Sequence, residues 1–160
     1  MAEMTPDDRR ALKRRMRSAA RLYAVQALFQ MEAIGLTVDK VRVEFETYRF
    51  GMVTEEGEFA EGDVDTFRAI LEGAVEHQAR IDKMTDRALV AKWPIDRIDP
   101  TLRALFRAAG AELVDRDTPP KVVITEFVEV ARAFFPEGKE AGFVNAVLDH
   151  MARAARPEAF

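Results

Sequence analysis

The chain has no cysteine. That excludes disulfides and thiolate metal sites and fits a reducing compartment. Nucleophiles are nearly as scarce: Ser18 is the single serine, and His77 and His150 are the two histidines. Ser18 sits among arginines, His77 on the polar side of a predicted long helix, and His150 directly after Asp149. Both histidines therefore read as solvated rather than as catalytic bases. No HExxH spacing occurs, and Gly51, Gly57 and Gly62 lie among glutamates, which repel phosphate. No catalytic residue, metal ligand set or cofactor is expected. No apolar run approaches the roughly 20 residues of a membrane span. The basic N-terminus lacks the apolar stretch of a secretory signal. A single cytoplasmic domain over residues 1–160, without membrane association, is the expectation.

What the chain does have is a block of positive charge. Arg9, Arg10, Lys13, Arg14, Arg15, Arg17 and Arg21 follow one another with no acid between them. Seven positive charges in a chain of net −4 leave −11 for the rest. Arg10, Arg14, Arg17 and Arg21 recur at helical spacing on one face. Like charges at that spacing cost helix stability, so the stripe points to a polyanionic partner, usually nucleic acid. A solvated basic face and a helix lying on an anionic membrane are the competing readings.

The periodicity is helical nearly throughout. Pro6 and Asp7 open helix one, whose apolar positions include Leu12, Met16, Ala19, Tyr23 and Ala27, and Gly35 ends it. Val38 to Phe50 predicts a second helix with Val41, Phe45 and Tyr48 on one side. Residues 51–62 predict an acidic loop. A long third helix runs from Asp63 or Asp65 to about Ala91, stopped by Pro94, with a short turn over Asp96 to Ile98. Asp99-Pro100 and Thr118-Pro119-Pro120 start two more helices. Pro136 to Gly142 reads as loop, and the last helix begins near Phe143. Frayed ends are expected at about 1–6 and 154–160. No alternating run or hairpin dipeptide signals a strand, so the fold class is all-α, with about six to seven helices.

Two residues near the last helix carry alternative readings. Phe143 is either a core ring or a platform on which an unpaired base stacks. Asn145, the only asparagine, either bonds a base edge or caps local backbone. Trp93, before Pro94, reads as a core or hinge anchor.

Three stretches together resemble the family of the transcription antitermination factor NusB. They are RSAARLYAVQALF from Arg17 to Phe29, WPIDRID from Trp93 to Asp99 with Leu102 to Leu113, and KVVITEFVEVA from Lys121 to Ala131 followed by GFVNAVLD from Gly142 to Asp149. The resemblance covers roughly residues 9 to 153. It implies two perpendicular three-helix bundles and a factor that binds single-stranded boxA RNA of ribosomal RNA leader transcripts. It implies as partners the small-subunit ribosomal protein NusE and the RNA polymerase antitermination complex, the free protein being a monomer or a homodimer. On its terms Arg14, Arg15, Arg17, Arg21, Phe143 and Asn145 meet RNA, and Phe29 lies towards the protein partner with a ring in place of a family tyrosine. Gly142, Ser18 and Thr125 depart from usual basic or asparagine positions, and the segment from 35 to 62 is longer and more acidic than in many relatives. A related domain begins some ribosomal RNA cytosine methyltransferases; with no cofactor domain in these 160 residues, methyl transfer is not expected. The alternative from another class is a protein-interaction module whose basic helix docks an acidic partner.

Overall fold

The structure is a computed structural model and describes residues 3–51, 53–54, 57–58, 61–90, 98–115 and 117–160. Among them are seven α-helices: α1 (Pro6–Ile34), α2 (Val38–Glu44), α3 (Val64–Glu76), α4 (Gln78–Val90), α5 (Pro100–Asp115), α6 (Pro120–Phe134) and α7 (Glu140–Ala155). The all-α expectation holds. One exception is a two-residue antiparallel ladder in the predicted acidic loop, β1 (Val53–Thr54) against β2 (Gly57–Glu58). No helix among the described residues is long and apolar enough to cross a membrane.

Local chemistry sets the ends of α1. Thr5 caps it in a reciprocal box, accepting from the Asp8 N–H while the Asp8 carboxylate accepts from the Thr5 N–H. Gly35 closes it at φ 71°, a left-handed conformation that glycine adopts without strain. Inside the molecule α5 is the hub, touching α1, α3, α4, α6 and α7. It therefore buries Leu105, Phe106, Ala108, Ala109 and Leu113 almost completely. At Gly110 a side chain would collide with Ile81, so glycine lets α4 approach α5 closely.

Four expectations need correction. The helix after Val38 does not keep one register: Phe45–Arg49 forms a π-turn, with the Phe50 N–H bonded to the Phe45 carbonyl at 3.0 Å. The wider turn inserts a residue, so Phe45 and Phe50 face the core and Tyr48 points to solvent at 69% exposure. Phe50 stacks on Tyr23 with centroids 4.9 Å apart and meets Phe67 edge-on at 5.0 Å. The predicted long third helix is two helices, α3 and α4, broken at His77 with φ −107° and ψ 20°. The last helix begins at Glu140, three residues before Phe143. Finally, the chain after residue 154 is anchored. Arg156 donates from Nε to the Leu113 carbonyl at 2.8 Å, from Nη2 to the Glu112 carbonyl at 2.7 Å, and to the Thr118 carbonyl. It thereby satisfies carbonyls that the end of α5 leaves without helical partners. Trp93 and the turn over Asp96 to Arg97 lie outside the described residues.

Candidate nucleic-acid interface

α1 divides into two parts. From Ala20 onwards it is a core helix, with Ala20, Tyr23, Ala24, Val25, Ala27 and Leu28 buried. Residues 6–15 are exposed apart from half-buried Ala11. The first 14 residues of the helix thus extend about 20 Å before the first fully buried position. Arg14, Arg15 and Lys13 are exposed, Arg17 is half-buried, and none of the four has a salt bridge or hydrogen bond among the described residues. Arg10 is paired with Asp7 one turn before it.

Arg21 departs from the expectation. It shares the helical face of the stripe, but only 4% of it is exposed. Its Nε donates to Glu112 at 2.7 Å, and its Nη1 lies 3.4 Å from Glu126. Glu112 is completely buried on α5, so Arg21 neutralises it there instead of standing free on the surface with the rest of the stripe. Ser18 joins the same junction, donating to both oxygens of Glu126 at 3.1 and 3.0 Å. Where a further cation might extend the stripe, this serine ties α1 to α6 instead.

Asp63 anchors the far side of the stripe. Its N–H donates to the Met16 carbonyl at 3.0 Å, and its carboxylate caps α3 by accepting from the Thr66 N–H at 3.0 Å. Burial works to raise the Asp63 pKa. The Thr66 hydroxyl and N–H outweigh it, helped by the nearby Lys13 and Arg17 charges, and hold the carboxyl below its ordinary value. A group depressed in this way contributes stability above its unfolded pKa, and that stability is lost as pH falls through the folded value. Asp63→Ala should cost about 1 kcal/mol near neutral pH. In urea unfolding the gap from the parent chain should shrink as pH drops below about 3.9. A gap that persists unchanged into strong acid would show that the carboxylate's charge is not the cause.

Phe143 and Asn145 sit on α7. Phe143 is half-buried, with its ring edge-on to Phe106 at 6.2 Å, while Asn145 is exposed. Phe143 packs on the core through Phe106 without being fully buried. Phe106 lies six residues before Glu112 on α5, about 9 Å along the axis from the Arg21 junction. The structure brings Arg14, Arg15 and Arg17 together on one arm, but no contact joins them to Phe143. Phe29, 39% exposed, lines a groove with Gln26, Ile34, Phe45 and Phe134.

One cluster was hidden from the sequence. His77 Nε2 lies 2.9 Å from Asp115 Oδ1, and ligand atoms of Glu76, His77 and Asp115 all fall within 4.8 Å of one another. His77 is therefore half-buried and bonded at the α3–α4 break, not simply solvated. Thirty-eight positions separate it from Asp115, which no spacing motif spans.

The NusB family model matches residues 18–153. The chain belongs to the NusB family. Arg14, Arg15 and Arg17 precede the matched span, whereas Arg21, Phe29, Phe143 and Asn145 lie inside it. The transcription antitermination protein NusB of Maricaulis maris is 49% identical over 157 residues, covering 98% of this chain and 96% of the relative. The protein of the same name from Agrobacterium fabrum is 45% identical over 144 residues, 89% of this chain and 87% of the relative. Among solved structures, T. maritima NusB superposes with a TM-score of 0.68 at 29% identity, over 89% of this chain and 95% of that one. A structure of the antitermination factors NusB and NusE in complex with dsRNA shares the fold, with a TM-score of 0.68 at 24% identity over 88% of this chain and 98% of that one.

Proposed function

We propose that this NusB-family chain is a non-enzymatic transcription antitermination factor of the cytoplasm. It binds single-stranded boxA RNA of ribosomal RNA leader transcripts together with the ribosomal protein NusE, and so supports processive passage of RNA polymerase. The observation that carries this reading is the extended first half of α1, with four cations that have no salt bridge or hydrogen bond among the described residues, on a chain of net −4. The names of its relatives, and the solved assembly of NusB with NusE and dsRNA, agree with it. Arg14, Arg15 and Arg17, with Lys13, meet phosphates and set position. Phe143 offers the open part of its ring to a base, and Asn145 its amide to a base edge. Phe29 and its groove face the protein partner.

The test is anisotropy of a labelled boxA-like RNA against a scrambled one, with and without NusE, over a range of salt. Four cations on single-stranded phosphates give a log–log slope of roughly −3, a loss of about 50-fold between 50 and 200 mM salt. Selective binding strengthened by NusE, with that slope, is the expected result. Weak, equal binding to both RNAs with a flat salt dependence would sink the reading and leave a protein-interaction module.

A further inference from the structure

Outside α1, most arginines of the described surface are engaged: Arg68 with Glu46, Arg107 with Asp82 and Glu32, Arg132 with Glu129, Arg153 with Asp149. α4 is the exception. Arg80, Lys83 and Arg87 are exposed, and none has an ion pair or hydrogen bond among the described residues. Their spacing of three and four puts them on one face, over about 10 Å of helix. The acids of the same helix do not cancel them. Asp82 is turned away to Arg107 at 3.1 Å, and Asp86 and the preceding Glu76 lie beyond pairing distance.

The three cations border a cleft floored by Ala79 and Met84 of α4 and Ala154 of α7. That floor has no polar side chain, so what the cleft offers a nucleic acid is the positive charge of its rim. Its position gives it a partner. Ala154 lies eleven residues after Phe143 on α7, and the intervals of seven and four through His150 keep all three on one stripe. The cleft therefore opens about 16 Å further along the stripe that begins at half-buried Phe143.

We propose that this cleft is a second phosphate track for single-stranded RNA. Arg80, Lys83 and Arg87 receive the backbone of the strand beyond the nucleotides held at Phe143. The inference rests on the RNA-binding reading above and adds a site to it. The track gives affinity without sequence preference, since its cations meet phosphates and the floor between them is apolar. A longer RNA should then bind more tightly whatever its added sequence.

The experiment compares a short boxA-like RNA with the same RNA carrying a uridine run at its 5′ or its 3′ end. The proteins are the full chain, the triple variant Arg80→Gln, Lys83→Gln, Arg87→Gln, and the charge-keeping variant Arg80→Lys, Arg87→Lys. Glutamine and lysine are good helix formers at exposed positions, and circular dichroism with urea unfolding checks that α4 is intact. One extension should tighten binding to the parent chain and steepen its salt slope by about two, a further loss of about tenfold or more between 50 and 200 mM. The triple variant should bind the short RNA as the parent does and lose the gain from the extension; the lysine variant should keep it. An extension that adds nothing, or adds equally to the triple variant, overturns the track while leaving the boxA reading intact. Failure of the parent to select the short RNA overturns both. A poly-glutamate peptide captured by the parent and lost in the triple variant, with no effect of RNA length, would give the cleft to an acidic protein instead.

Discussion

Arg21→Met should destabilise the chain by about 3–5 kcal/mol, although it removes one residue of a stripe whose other members are expendable to the fold. The cost comes from what is left behind. Glu112 is fully buried, and its carboxylate is held by Arg21 Nε at 2.7 Å and Nη2 at 3.4 Å. Without the guanidinium, a charge stays in the interior with no counter-charge beside it. Glu126 suffers less, since its side chain is 27% exposed and Ser18 still donates to it. Arg15→Met, at an exposed position, should stay within about 0.5 kcal/mol of the parent. Removing both buried partners, Arg21→Met with Glu112→Met, should recover most of the loss, because an apolar pair of similar size needs no neutralisation. Urea unfolding measures all three. RNA affinity of the double variant separates the roles: parent-like binding confirms a structural arginine. Lost binding in a refolded double variant would return Arg21 to the RNA.

Phe106→Ala should cost about 3–5 kcal/mol, the range for emptying a fully buried aromatic site. Phe106 is 0% exposed at the centre of α5, and its ring also forms the wall against which Phe143 stands. The substitution should therefore lower the urea midpoint and, under conditions where the variant is folded, weaken RNA binding as Phe143 loses its support. Phe143→Ala should divide the effects differently. Its half-buried ring contributes less to stability, while its loss removes base stacking of about 1–3 kcal/mol. RNA affinity unchanged in Phe143→Ala, with stability lowered as far as in Phe106→Ala, would make Phe143 a core residue and nothing more.

Helix boundaries were legible wherever a side chain announces them. Pro6 and Asp7 mark the start of α1, though they do not reveal the Thr5 cap before them; Gly35 stops it, and Asp99 caps α5 by accepting from the Thr101 N–H at 2.7 Å. Pro120 opens α6. The start of α7 was missed because Lys139 makes no side-chain cap, and Gly142 in the first turn imitates a loop residue. The π-turn at Phe45 was missed because a 3.6 period assigns Tyr48 and Phe45 to the same face. The site divides on similar lines. Charge density picked out exposed Arg14 and Arg15 and half-buried Arg17, which have no hydrogen bond or salt bridge among the described residues. It did not reveal the burial of Arg21, because the partners that bury it, Glu112 and Glu126, are distant in sequence and sit on other helices. The cations of α4 escaped notice because Asp82 and Asp86 dilute them in sequence, while the fold turns Asp82 to Arg107.

The division of α1 at Ala20 makes one helix a composite of two lifetimes. Beyond Ala20, backbone amides are covered by the core and exchange with solvent when the whole chain opens. Before Met16, helical residues 6–15 are exposed apart from Ala11; this segment is shorter than the ~12–15 residues that an isolated helix needs for even marginal stability, and its like charges repel. It is seeded by the Thr5 box at one end and by the folded core at the other. An anion arriving along this arm removes the repulsion, so the ligand completes the secondary structure that binds it. Amide protection at Arg14 and Arg15 is thus a direct gauge of how fully the arm is occupied.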